Sequence, residues 1–308
     1  MAKKTLLVVV GPTAIGKTNV AIQLAQHYKC EIISADSRQF YKEMNIGTAV
    51  PTPSELAAAT HHFIQHRSIH EPTYSVGDYE TDAIQLLDTL YNKNNTAILV
   101  GGSGLYIDAV TKGLDVFPVV RPEIKEEVAA LYKNEGFASV QKLLIENDPE
   151  YSKIVDLQNI QRVLRALEVT LSSSQPYSSF LTNAVKTRNF TPVFIGLTAD
   201  RTVIYERINK RVEKMITEGL IEEVKSLQAY QHLNALNTVG YKEVFKYLER
   251  NYSLDFTINE IQKNTRRFAK RQGTWFRKNK DIRWFDYTTP IEDIITHIDT
   301  SLQQLATK

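Results

Sequence analysis

Gly11-Pro12-Thr13-Ala14-Ile15-Gly16-Lys17-Thr18 matches the pattern G-x-x-x-x-G-K-[ST] at every fixed position and directly follows an apolar run over residues 6–10. The spacing predicts a buried strand that turns through a phosphate-binding loop into a helix. Glycines let consecutive backbone N–H groups turn inward on an anion. The helix opening near Lys17 adds the positive end of its dipole, and Lys17 adds a full charge. Thr18 supplies a hydroxyl suited to magnesium. Val20, Ala21, Leu24, Ala25 and Tyr28 carry the helical spacing this reading requires after the loop. The motif fixes an anionic ligand and leaves open whether it is ATP or another phosphate.

Composition narrows the classes. A chain of 308 residues that is 43% apolar and 23% charged has the balance of a globular protein with one large core or two modest ones. No apolar run approaches the ~20 residues that span a bilayer. The opening Met-Ala-Lys-Lys leads into a strand too short for a signal segment. A cytoplasmic monomer with no membrane partner is the expectation. Cys30 is the only cysteine, which excludes an intrachain disulfide and a cysteine-built zinc site and predicts a small core residue. Net charge is +2, and the whole-chain value announces no nucleic-acid partner. Its distribution is uneven: between Lys263 and Arg283 stand nine basic residues and one acid, Asp281.

In chain order, Glu31-Ile32-Ile33-Ser34-Ala35-Asp36 reads as a second buried strand with Asp36 at its C-terminal end, and such ends face the phosphate loop in open α/β sheets. Ser37-Arg38-Gln39-Phe40-Tyr41, Asn45-Ile46-Gly47-Thr48 and Pro51-Thr52-Pro53 form a polar, turn-rich stretch that predicts a working loop. His61, His62, His66 and His70 lack the ordered two-histidine spacing of a catalytic metal site, so surface or packing roles are expected. A helix over 82–91 precedes a strand over 96–100 that ends in Gly101-Gly102-Ser103-Gly104-Leu105-Tyr106, a second place for backbone to approach a ligand. Three strand ends thus deliver a phosphate loop, a carboxylate and a Gly-Ser turn to one edge.

From Asp115 the pattern is helical without strands, over 121–134, 137–146 and 159–171. It predicts an inserted helical subdomain over 115–190 within an α/β core made of 1–114 and 191–308. Gln161 opens a run in which Arg162 and Arg165 share one helical face. The sheet resumes with Val193-Phe194-Ile195-Gly196-Leu197, and a helix over 202–217 carries Arg207 and Arg211 at i, i+4, placed to return toward the phosphate site as lid arginines do. Asn237-Thr238-Val239-Gly240-Tyr241-Lys242 is a glycine-containing loop opening a helix. Leu254, Ile258, Ile261, Thr265, Phe268, Gln272 and Trp275 then recur at helical spacing, and the other faces of that helix carry the basic cluster. Cations interleaved with Trp275, Phe276 and Trp284 suit RNA, whose phosphates they meet while planar rings stack on unpaired bases. A membrane-surface or calmodulin-target helix shows the same pattern. A strand over 282–285 and a helix over 291–305 close the chain.

A phosphate loop joined to a basic, aromatic arm fits a nucleotide-kinase-like phosphotransferase, an RNA-stimulated ATPase, or a transferase that uses an organic diphosphate on RNA. A helicase-like ATPase calls for a later core strand ending in Asp or Asp-Glu, and the strand over 96–100 ends in glycines. Over residues 6–285 the chain resembles the bacterial tRNA dimethylallyltransferases, also called tRNA isopentenyltransferases. The resemblance rests on the phosphate loop, Ile33-Ser34-Ala35-Asp36-Ser37-Arg38-Gln39 with Tyr41 and Asn45-Ile46-Gly47-Thr48-Ala49, and the turn at 101–106. Residues 161–169, 211–215 with Gly219-Leu220, Val239-Gly240-Tyr241 and Ala269-Lys270-Arg271-Gln272-Gly273-Thr274-Trp275-Phe276-Arg277 complete it. Ile15 stands where the family usually has Ser, and Ser103 where Thr is frequent.

The resemblance implies a P-loop NTPase-like parallel sheet flanked by helices. It also implies transfer of a dimethylallyl group from dimethylallyl diphosphate to the exocyclic amine of the adenosine 3′ of the anticodon in a tRNA anticodon stem-loop. Gly11, Pro12, Thr13, Ala14, Ile15, Gly16, Lys17 and Thr18 would bind the diphosphate, Thr18 would hold magnesium, Arg211 would stabilise the departing charge, and Asp36 would be the general base. By the same resemblance Asp36, Ser37, Arg38, Gln39, Ser103, Gln161, Arg162, Arg165, Asn237, Gly240, Tyr241, Lys242, Lys270, Arg271, Gln272, Thr274, Trp275 and Arg277 line the tRNA path.

Overall fold

The computed structural model describes residues 3–182 and 184–306. In order they form β1 (Thr5–Val10), α1 (Lys17–Tyr28), β2 (Ile32–Ser34), α2 (Pro53–Ala58), β3 (His61–His62), α3 (Val76–Leu90), β4 (Thr96–Gly101) and α4 (Gly104–Thr111). Four helices follow without a strand: α5 (Pro122–Glu135), α6 (Phe137–Asn147), α7 (Pro149–Ile154) and α8 (Ile160–Ser173). The sheet resumes at β5 (Thr191–Thr198), followed by α9 (Arg201–Thr217), α10 (Leu220–Ser226), α11 (Tyr241–Leu248), α12 (Leu254–Phe276), β6 (Arg283–Asp286) and α13 (Ile291–Ala306). The six strands make one sheet in the order β3-β2-β4-β1-β5-β6, and every neighbouring pair is parallel.

The sheet is parallel because helices cover both faces, and β1 shows the cause. Its side chains alternate between two cores, Leu6, Val8 and Val10 packing with α3 and α4, and Leu7 and Val9 with α1 and α13. All five are fully buried. A strand with two buried faces must be apolar at consecutive positions, which is the run that precedes the loop. Cys30 packs in the second core, where burial pushes its thiol up to about 12. A third core joins α9 to α12 around Met44, Val212, Leu236 and Tyr241.

Residues 113–186 form a second compact unit, and 1–112 with 187–308 the first. The second unit has its own core of Val128, Val140, Leu144, Val163, Ala166 and Leu167. Its helix α7 escapes a periodicity reading because it has six residues. It is fixed instead by Asp148, whose side chain accepts from Tyr151 N at 2.9 Å and from Ser178 N at 2.7 Å. Two more elements differ from expectation for local reasons. Helix α3 begins at Val76, well ahead of residue 82, because Ser75 and Asp78 cap each other's N–H groups. The loop after Pro51 holds the short α2, whose Thr52 and Glu55 make the same reciprocal cap.

His62 and His66 pack against their neighbours, and His70 is exposed. His62 Nε2 lies 2.6 Å from Glu31 Oε2, and the His66 ring sits among Phe40, Phe63 and Tyr74 at centroid distances of 5.1–5.3 Å. Among the described residues no group of three His, Cys, Asp or Glu side chains could hold a metal ion, and no helix is long and apolar enough to cross a membrane.

Candidate active site

The C-terminal ends of β1, β2 and β4 lie side by side, because β1 pairs with β4 and β4 with β2. They bring the phosphate loop, Asp36 and the turn at Ser103 to one edge. The loop is tightly specified. Gly11 has φ +150°, and a Cβ there would stand 2.6 Å from the Leu197 carbonyl oxygen of the neighbouring strand. Ala14 at φ 64° and Gly16 at φ 109° complete the left-handed turns that point the chain into α1. The family-atypical Ile15 is 2% exposed and packs into the core beneath α1, so its side chain leaves the cavity side untouched.

Lys17 donates from Nζ to the Pro12 carbonyl at 2.8 Å, folding back over the loop. Burial, opposed by the attraction of Asp36 and reinforced by the repulsion of Arg211, pulls its ammonium down to about 8. From α9, Arg207 Nε donates to the Ala14 carbonyl at 2.7 Å, and Arg211 Nη1 to Thr13 Oγ1 at 3.3 Å. Burial also lowers the Arg211 pKa, with Asp36 acting against it. Lys17 and Arg211 are cations with much of their water removed and no carboxylate paired to them among the described residues. They are therefore poised to gain from an arriving anion. A cavity of about 770 Å³ opens here, lined by Gly16, Lys17 and Thr18 from the loop and by Arg207, Lys210, Arg211 and Lys214 from α9.

Asp36 caps its own turn through one oxygen, Oδ1, which accepts from Arg38 N at 3.2 Å. Its other oxygen accepts no hydrogen bond among the described residues. The adjoining Ser37 donates from N to Ser103 Oγ at 3.2 Å, and the two hydroxyls lie 3.3 Å apart, which latches the ends of β2 and β4 together. A second cavity, of about 540 Å³, lies against this latch. Ser37, Ser103, Lys242, Arg271 and Trp275 line it together with the apolar Ile208, Val212, Val239, Ile261 and Phe268. Thr13, Asp36, Thr48, Arg211 and Met215 line both cavities. The phosphate side and the mixed apolar side therefore share one wall, and Asp36 is in it.

The residues expected along an RNA path divide into two groups. Asn237, Lys242, Lys270, Arg271, Thr274 and Arg277 are exposed on the first unit, and Gln161, Arg162 and Arg165 are exposed on α8 of the second. Others face inward and change role. Tyr241 is fully buried and donates its hydroxyl to Glu223 Oε1 at 2.6 Å, so its ring is unavailable to RNA. Gln272 is 6% exposed and makes its hydrogen bonds inside the protein. Arg38 spends Nη1 on the carbonyls of Asn234 and Ala235 at 3.1 and 2.9 Å, and Gln39 Nε2 donates to the Thr48 and Ala49 carbonyls at 3.2 and 2.9 Å. These two side chains brace loops beside Asp36. Gly240 is buried and opens α11 at φ +95°.

The expected stacking platform is also corrected. Phe276 is 3% exposed and belongs to the first core, which Trp284 packs against. Trp275 is half-buried and donates Nε1 to Asp108 Oδ2 at 2.8 Å, leaving part of its ring toward the second cavity. Glu223 carries no chemical motif in the sequence, yet it organises the site. Its carboxylate accepts from the N–H groups of Asn45, Ile46 and Gly47 at 3.2, 2.7 and 3.0 Å, fixing the loop that carries Thr48 to the shared wall. No local pattern reveals this, since the partners are some 177 residues apart.

A model of the IPP transferase family matches residues 39–279. A tRNA dimethylallyltransferase of Christiangramia forsetii is 54% identical over 297 residues, covering 96% of this chain and 98% of the relative. One of Flavobacterium johnsoniae is 52% identical over 306 residues, covering 97% and 99%. The crystal structure of a Bacillus halodurans tRNA isopentenylpyrophosphate transferase superposes with a TM-score of 0.74 at 34% identity, covering 99% of both chains. A eukaryotic dimethylallyltransferase acting on tRNA shares the fold, with a TM-score of 0.79 at 24% identity over 99% of this chain and 78% of that one.

Proposed function

The chain belongs to the IPP transferase family, and from that premise we propose that it transfers the dimethylallyl group of dimethylallyl diphosphate to the exocyclic amine of the adenosine 3′-adjacent to the anticodon of a tRNA, releasing diphosphate. The observation that carries the reading is the shared wall of Thr13, Asp36 and Arg211 between a cationic phosphate cavity and a mixed apolar one. A nucleotide kinase needs room for two phosphate-bearing partners, whereas the second cavity here sets Lys242 and Arg271 among Ile208, Val212, Val239, Ile261 and Phe268, a mixed lining that suits a prenyl chain and a base with its flanking RNA.

The diphosphate sits against the loop N–H groups, Lys17 and Arg211. These cations stabilise the charge that grows on the leaving oxygen as the allylic carbon–oxygen bond breaks, an interaction stronger in the transition state than in the bound substrate. Asp36 takes the proton from the attacking amine, which conjugation with the ring makes a weak base and a poor nucleophile. Its uncommitted oxygen is the acceptor. Thr18 lines the phosphate cavity with a hydroxyl that makes no hydrogen bond among the described residues, and no carboxylate cage is near. That donor set fits magnesium, which keeps water and substrate phosphate oxygens in its shell. Thr18 would hold the ion, and the ion would add positive charge to the leaving diphosphate.

RNA docks on the exposed cations of α12. The adenosine leaves its stack to reach Asp36 through the second cavity. Gln161, Arg162 and Arg165 are carried as contacts of the second unit with the tRNA by the resemblance alone. To test the reading, the protein, magnesium and unmodified tRNA are incubated with prenyl-labelled dimethylallyl diphosphate or with labelled ATP. The prenyl label is expected in the RNA, at the adenosine following the anticodon. Transfer of phosphate from ATP, or RNA-dependent ATP hydrolysis without prenylation, would refute it.

A further inference from the structure

One amide of the phosphate loop is already occupied from inside the protein. The Thr13 N–H donates to Gln272 Oε1 at 2.9 Å, and Gln272 Nε2 donates to the Gly102 carbonyl at 3.0 Å. The orientation of the side-chain amide follows from its partners, since an N–H must meet its oxygen and a carbonyl its nitrogen. Gln272 is 6% exposed on α12, adjacent to Arg271 and three residues before Trp275. One buried side chain thus ties the phosphate loop after β1 to the turn after β4 and to the helix that carries the basic arm. Thr13 is held at its other end too, because Arg211 reaches its hydroxyl from α9.

We propose that Gln272 is a positioning residue that couples the RNA-binding arm to the diphosphate loop. It keeps the Thr13 N–H out of the anion's shell and sets the loop's shape from α12, so a displacement of α12 by bound RNA is transmitted to the cradle through two hydrogen bonds. Coupling of this kind is reciprocal: tRNA tightens diphosphate binding by the factor by which diphosphate tightens tRNA binding. Gln272 makes no RNA contact of its own, because both polar ends are already committed and buried. The proposal rests on the reading of the loop as a diphosphate site.

The test uses the full-length protein, inorganic diphosphate with magnesium, and unmodified tRNA. In the wild-type chain tRNA is expected to tighten diphosphate binding by about tenfold. Gln272→Met keeps the side chain's length and removes both hydrogen bonds. It is expected to bring that factor to about one and lower the single-turnover prenyl-transfer rate by at least about tenfold, with tRNA affinity in the absence of diphosphate changed less than about twofold. Gly102→Ala approaches from the other side, since the new Cβ would overlap Gln272 Nε2 and displace it without altering the arm. It should reproduce the loss, and the double variant should be no worse than either single one, as two cuts in one brace are not additive. Weakened tRNA binding with an unchanged transfer rate would make Gln272 an RNA contact and overturn the proposal. Unchanged coupling, full additivity, or loss of the fold in both single variants would also overturn it. Failure of the wild-type chain to prenylate RNA would instead overturn the proposed reaction, and the binding measurement would still decide the brace.

Discussion

Asp36→Asn is expected to lower the single-turnover rate of prenyl transfer by roughly a hundredfold to ten-thousandfold, the range lost with a general base. Affinity for tRNA and for dimethylallyl diphosphate should each stay within about threefold of the wild-type value. The substitution preserves the volume of the side chain and an oxygen able to accept from Arg38 N, so the turn from residue 36 to residue 39 keeps its hydrogen bond. What it removes is the basicity of the oxygen that accepts no hydrogen bond among the described residues. Rapid-quench kinetics at saturating substrates, with binding measured separately, checks the split. A variant that transfers within tenfold of the wild-type rate would show that the amine loses its proton to something other than this carboxylate.

Lys17→Met should be nearly as damaging and for a different reason. The ammonium lies over the loop, donates to the Pro12 carbonyl at 2.8 Å and is held down to about 8 by burial. A cation kept in so dry a place is stabilised strongly by a diphosphate and more strongly by the charge that develops on it. Its loss is expected to reduce kcat by about a hundredfold to a thousandfold, as when a single preorganised donor is removed from a charge-stabilising site. Diphosphate binding should weaken in parallel, and tRNA binding should not. The thermal midpoint should hold or rise, because a partly dehydrated charge with no carboxylate paired to it among the described residues is replaced by an apolar chain of similar length. Kinetics with diphosphate binding by calorimetry reads both effects. A loss confined to tRNA affinity would place Lys17 on the RNA side of the shared wall.

The parts of the site that the sequence shows plainly are those whose chemistry is written in neighbouring residues. The phosphate loop is one contiguous octapeptide, and Asp36 stands two residues past the end of an apolar strand, so the strand ends put them on one edge. Arg211 is legible at one remove, since i, i+4 spacing on the helix after β5 aims it back at the loop. Glu223 and the hydrogen bonds of Gln272 are not legible, because they join residues 170 or more positions apart and use side chains common on any helix. The aromatic residues of the arm are hard to assign for a related reason: Trp275 and Phe276 share a helix with the basic cluster, yet a helix shows different faces at consecutive positions. Phe276 turns to the core while Arg277 stays in solvent.

Leaving group and acceptor are expected to approach one reacting carbon from the two sides of the wall formed by Thr13, Asp36 and Arg211. Dimethylallyl diphosphate made chiral with deuterium at C1 reads this directly. After a single turnover on unmodified tRNA, the configuration at C1 of the prenylated adenosine is determined. Displacement across the shared wall predicts inversion. Retention would mean a covalent prenyl-enzyme intermediate and racemisation a free allylic cation that turns before capture, and either result would rule out direct displacement across the wall.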